Sequence, residues 1–171
     1  MCRTASPPVL YHFSDRPDIR CFRPRPSRLG RPVVWATLPE YTFLYLFPRD
    51  CPRILVWATA QSRAVDRHRW LQGAARVAFV EQRWLTRIAR CKLYRYAFRM
   101  TSFLSLDDAG MHVSDASVRP KNVTPVNDLP HALRREGVVL RALPSLVPLK
   151  PIWNTSLHAS GIRLRDAVDW N

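Results

Sequence analysis

Fifteen prolines limit how this 171-residue chain can be divided into elements. A proline donates no backbone hydrogen bond and fixes φ, so it is excluded from helix interiors and from central strands. Pro17, Pro24, Pro26 and Pro32 turn the segment between two apolar runs into a long, arginine-rich loop. Pro48 and Pro52 break the chain again, and Pro144, Pro148 and Pro151 punctuate its last quarter. The elements between these breaks are short.

Residues 9–13 and 33–36 are apolar and aromatic runs that read as strands. Residues 38–47 follow with Tyr41 and Tyr45, and Phe43 and Phe47, at i,i+4 spacing. With Thr37 as N-cap and Pro39 in the first turn, that spacing predicts a short helix. The nearly continuous apolar run at 53–58 predicts a central strand, and 62–71 a helix closed by Gly73. A strand at 76–80 and a helix at 81–89 come next. Residues 92–98 alternate with period two, the mark of a strand. Residues 103–106 and 111–113 form a hairpin around Asp107-Asp108-Ala109-Gly110. Asp128 caps a helix with Pro130 in its first turn and Gly137 at its end, leading into a strand at 138–143. A short helix is expected at 152–159. Hairpins mixed with short helices predict an α+β fold: one mixed, largely antiparallel sheet with peripheral helices. Residues 9–171 are expected to be a single domain preceded by a flexible leader at 1–8 that carries Ser6, Pro7 and Pro8.

No apolar run approaches the roughly 20 residues that span a bilayer, and the leader lacks the apolar stretch of a secretory signal. A cytoplasmic protein with no membrane partner is expected. Cys2, Cys21, Cys51 and Cys91 lie far apart, with no C-x-x-C pair and no histidine at finger spacing, so no metal site or redox motif is indicated. The net charge is +14. Three lysines, Lys92, Lys121 and Lys150, leave 24 of the 27 basic residues as arginine, scattered from Arg3 to Arg165. Such a balance favours nucleic acid or phosphate-bearing partners, although a GC-rich coding sequence produces the same arginine excess.

The residues that can carry chemistry are few. His12 closes the first strand and is either a functional imidazole or a hydrogen-bonded structural one. Tyr11 and Trp35 offer rings for stacking or for the core. Arg49 and Asp50 sit between two prolines, where a guanidinium can grip phosphate in two-pronged fashion or a turn can simply be closed. Cys51 lacks the local signature of a cysteine hydrolase.

The strings Leu10-Tyr11-His12-Phe13-Ser14, Val33-Val34-Trp35-Ala36-Thr37, Pro48-Arg49-Asp50-Cys51-Pro52-Arg53, Leu93-Tyr94-Arg95-Tyr96 and Ser160-Gly161-Ile162-Arg163-Leu164-Arg165 together resemble a small bacterial family of unknown function. At the level of fold, the first two strands and the segment after them resemble ADP-ribosyltransferase-like domains. That resemblance implies a nucleotide cleft, with NAD as a ligand. In it His12 contacts the ribose, Trp35 and Tyr11 pack on the rings and Thr37 orients the ligand, while Arg49 is the residue expected to grip a phosphate, with Asp50 beside it among the ligand-binding candidates. His112 stands where that family places a glutamate, as in Gly110-Met111-His112-Val113-Ser114. Members resembling RNA 2'-phosphotransferases rely on basic residues instead. His12 and His112 are therefore the candidate catalytic residues of a transferase. The competing expectation is a noncatalytic, basic nucleic-acid-binding or interaction module.

Overall fold

The computed structural model describes residues 9–170; the expected leader lies outside the described residues. Ten strands run through them: β1 (Val9–Ser14), β2 (Val34–Thr37), β3 (Arg53–Trp57), β4 (Arg76–Glu81), β5 (Leu93–Arg99), β6 (Leu104–Ser105), β7 (Met111–Ser114), β8 (Asn122–Val126), β9 (Val138–Leu143) and β10 (His158–Ile162). Three short α-helices accompany them, α1 (Ala64–Asp66), α2 (Leu85–Arg90) and α3 (Leu129–Arg135), with several 3-10 turns. The architecture is α+β, as the pattern predicts. The strands are shared between two sheets where one was expected. A six-stranded sheet has the order β6-β7-β2-β1-β5-β8, and a four-stranded sheet the order β10-β3-β4-β9. Every strand pair is antiparallel except β4 with β9.

The chain divides into two compact units, each made of two segments. The first takes the described residues up to Tyr45 together with Lys92–Val126 and contains the six-stranded sheet. One face of that sheet is covered by the proline-rich loop. Leu10, Val34, Ala36, Tyr96 and Phe98 pack there with Phe22, Phe103 and Val118. Phe22 meets the rings of His12, Tyr96 and Phe98 edge-on at 4.9, 4.9 and 5.1 Å. Its backbone exchanges two hydrogen bonds with Val118, at 2.8 and 2.9 Å. In the β6–β7 turn Gly110 has φ +67°, and a Cβ there would collide with the Tyr41 ring. Only glycine meets both demands.

The second unit takes Leu46–Cys91 and the described residues from Asn127 onward, and contains the four-stranded sheet. β3 is internal, as its apolar run predicts, with Ile54, Leu55 and Val56 inaccessible to solvent. Ile54 and Val56 pack with Val77, Phe79, Leu146, Leu149 and Ile152. The expected helix at 62–71 is one turn of α-helix followed by a π-turn, Arg67–Leu71, ended by left-handed Gln72 at φ 51°. The expected helix at 152–159 is replaced. Pro151 lies inside a 3-10 segment, Val147–Asn154, and the chain then extends into β10, which pairs with β3 from His158↔Trp57 to Ile162↔Arg53. The aromatic segment at 38–47 is likewise a 3-10 helix, Pro39–Tyr45. Its consecutive residues Thr42, Phe43 and Leu44 are all buried, which a single α-helical stripe cannot achieve.

Candidate functional site

Strand register sorts the candidate residues of the first unit onto two faces. Tyr11 lies opposite Thr37, so the next pair along β1 and β2 is His12 with Ala36. His12 also pairs with Tyr96, Ala36 with His112, His112 with Ser105, and Tyr96 with Val123. Directly opposed residues share a face. Ser105, His112, Ala36, His12, Tyr96 and Val123 therefore form one row across all six strands, on the face that carries the core. Tyr11, Trp35 and Thr37, one position away along their strands, project from the other face. The six-stranded sheet thus brings His12 and His112 to one side, roughly 10 Å apart at two strand spacings, and the three ring and hydroxyl candidates to the opposite side.

Both histidines have the same local chemistry. The Nδ1–H of His12 donates to the Trp35 carbonyl at 2.8 Å, and that of His112 to the Gly110 carbonyl at 3.1 Å. A carbonyl only accepts, so Nδ1 carries the proton in each ring. His112 is only 6% exposed, and His12 rests edge-on against Phe22. Among the described residues no group of three or more histidine, cysteine or acidic side chains could hold a metal.

The opposite face combines aromatic rings with cations. Arg95 sits diagonally across from Tyr11, its guanidinium carbon 4.7 Å from the ring centroid, and Arg28 lies 5.7 Å from the Trp35 ring. Tyr11 and Arg95 line a cavity of about 140 Å³ together with Val9, Ala97, Lys121, Asn122 and Thr124. A second cavity, of about 190 Å³, is lined by Phe98, Arg99, Ser102, Phe103, Ser117, Val118, Arg119 and Lys121. Lys121 belongs to both. Neither lining contains a carboxylate, and Arg95, Arg99, Arg119 and Lys121 form no ion pair with any described carboxylate. Thr37 is 1% exposed and its hydroxyl has no hydrogen-bond partner among the described residues.

Arg49, Asp50 and Cys51 belong to the second unit. They form a turn in which the Cys51 N–H donates to the Pro48 carbonyl at 3.0 Å. Asp50 pairs with Arg163 at 3.7 Å, and Arg49 is exposed. Cys51 is fully buried, and that burial pushes its thiol up to about 12, so it holds its proton and donates weakly to the Pro52 carbonyl at 3.6 Å. This protonation removes the thiolate that a nucleophile requires.

Sequence reading passed over Arg95, Lys121, Asn122 and Thr124 as site residues. Arg95 was visible as one member of the alternating 92–98 strand and of the Leu93-Tyr94-Arg95-Tyr96 string, neither of which marks it as a ligand residue. The other three enter the site because β8 pairs beside β5, and the Pro125 within β8 hides that strand from a pattern search.

A family model described as Family of unknown function (DUF6886) matches residues 11–167. No curated protein and no solved structure matches the chain.

Proposed function

Starting from the chain's membership of that family of unknown function, we propose that it binds a phosphate-bearing nucleotide on the aromatic face of its six-stranded sheet. The observation that carries this reading is Arg95 stacked on Tyr11 in the wall of a cavity that also holds Lys121 and no carboxylate. A guanidinium lying over a ring is attracted by its π-face and retains N–H donors that can grip phosphate oxygens. Lys121 adds a point charge, and Asn122 and Thr124 supply polar groups for sugar or base edges. Trp35 and Arg28 repeat the ring-and-cation arrangement on the same face. At about 140 Å³ the cavity falls short of the roughly 300 Å³ at which pockets enclosing a whole small molecule begin, so the ligand lies along the sheet with one end seated.

Calorimetric titration with NAD and with adenosine 5'-monophosphate tests this reading, using Arg95→Ala and His12→Ala as variants and chromatography for released nicotinamide. Binding of either nucleotide that disappears in Arg95→Ala supports it. Nicotinamide release abolished by His12→Ala would shift the site to the histidine face and to transferase chemistry.

A second reading has its own support. Arg28, Arg95, Arg99, Arg119 and Lys121 are five cations of one unit without an acidic partner among the described residues, which suits a single-stranded polyanion. Affinity that rises with oligonucleotide length and falls steeply with salt distinguishes it from mononucleotide binding.

A further inference from the structure

We propose that the cavity of about 190 Å³ is a site for one dianionic phosphate group, such as a phosphate monoester or the terminal phosphate of a nucleotide. Three cationic residues line it, Arg99, Arg119 and Lys121, with the hydroxyl residues Ser102 and Ser117. None of the three cations is neutralised by a described carboxylate. The remaining lining residues, Phe98, Phe103 and Val118, are buried at 1%, 8% and 6% exposed and belong to the core. An uncompensated concentration of positive charge, with hydroxyl donors beside it, matches the chemistry of a tetrahedral oxyanion.

The walls are held in place before any ligand arrives. Phe103 N–H closes the Met100–Ser102 turn on the Met100 carbonyl at 2.9 Å. Val118 N–H is bonded to the Phe22 carbonyl at 2.9 Å, and Lys121 N–H to the Ala97 carbonyl at 2.7 Å. The backbone that carries the cations therefore needs no rearrangement on binding, which limits the ordering cost to their side chains. The volume corresponds to the liquid share of about six waters, room for a phosphate group and the first atoms attached to it.

Charge selects the class of ligand. Three cations favour a dianion over the single charge of a phosphodiester, and a phosphate monoester acquires its second charge above a pH of about 6. Binding therefore strengthens as pH rises from 5 to 7. Through Lys121 the site adjoins the Tyr11–Arg95 cavity, but it requires no ring in its ligand and stands whether or not the nucleotide reading does.

The test is calorimetric titration of the full chain with inorganic phosphate at fixed ionic strength, with Arg119→Ala and Arg99→Gln as variants. Arg134→Ala, on α3 of the other unit, is the control. The expected result is an affinity loss of about tenfold or more in each site variant, with none in the control and unchanged melting temperatures. Methyl phosphate binds like phosphate, and dimethyl phosphate at least about tenfold more weakly. A 5'-phosphorylated oligonucleotide that outcompetes its 5'-hydroxyl counterpart assigns the group to a strand end, while equal competition assigns it to a small ester. Wild-type affinity in both site variants, or equal binding of dimethyl phosphate, overturns the proposal. Arg95→Ala separates the two readings, because it leaves inorganic phosphate binding intact even where it abolishes nucleotide binding.

Discussion

The Tyr96 hydroxyl donates a hydrogen bond to the backbone carbonyl of Arg16, 80 residues earlier in the chain. The same oxygen accepts from the Ile19 N–H at 3.2 Å. One phenol thus satisfies two backbone groups of the proline-rich loop and holds that loop, with Phe22, on the core face of the sheet. Tyr96→Phe keeps the buried ring and orphans both groups, so unfolding free energy falls by about 1 to 3 kcal/mol. Urea denaturation measures this, and an unchanged midpoint would mean that the loop is held by its apolar contacts alone.

Thr37 makes the opposite prediction. Its hydroxyl is buried without a partner among the described residues, so it bears a desolvation cost with no compensating bond. Thr37→Val has nearly the same shape and should leave stability equal or raise it by about 1 kcal/mol. A clear drop in melting temperature would show that the hydroxyl is bonded in solution.

Asp66 ties the protein to pH. Its Oδ2 accepts from the Ser156 hydroxyl at 2.7 Å and the Ser156 N–H at 2.9 Å, and it pairs with Arg63 at 3.1 Å. These donors, Ser156 foremost, hold the carboxyl below its ordinary range. A lowered folded value means that the stability contribution is complete above the unfolded value of about 3.9 and is lost as pH falls through the folded one. Asp66→Asn therefore destabilises at pH 7 and narrows the gap to wild type at pH 3. Urea midpoints at the two pH values check this, and a constant gap contradicts it.

Cys51 should be inert. A thiol pushed up to about 12 carries almost no thiolate at pH 8, whereas Cys21 is exposed. A disulfide-exchange reagent with mass-spectrometric mapping should modify Cys21 in the native protein and Cys51 only after denaturation. Native labelling of both at one rate would contradict the buried environment.

Much of the fold was legible because apolar and aromatic runs mark β1 and β2, a period-two pattern marks β5, and Asp128 and Gly137 frame α3 as caps do. Asp128 accepts from the His131 N–H at 2.9 Å. β8 was not legible: four of its five residues are exposed and one is Pro125, a composition that only an edge strand tolerates. The division into two sheets was hidden for a related reason, since pairing partners are set by long-range register and not by local pattern. The candidate site was partly legible. His12, Tyr11, Trp35, Thr37 and His112 all lie on three neighbouring strands, but a single-residue step along a strand reverses the face. Arg49 and Asp50 are close to these residues in sequence yet fall in the other unit.

The central claim is that a nucleotide sits where Arg95 covers Tyr11. Titrating adenosine 5'-monophosphate into isotopically labelled protein, followed by amide chemical shifts, tests it most directly. The account predicts saturable shifts centred on Tyr11, Arg95, Ala97, Lys121 and Asn122, lost in Arg95→Ala while the rest of the spectrum is unchanged. Shifts centred instead on Arg49 and Asp50, or no saturable shifts, would contradict it.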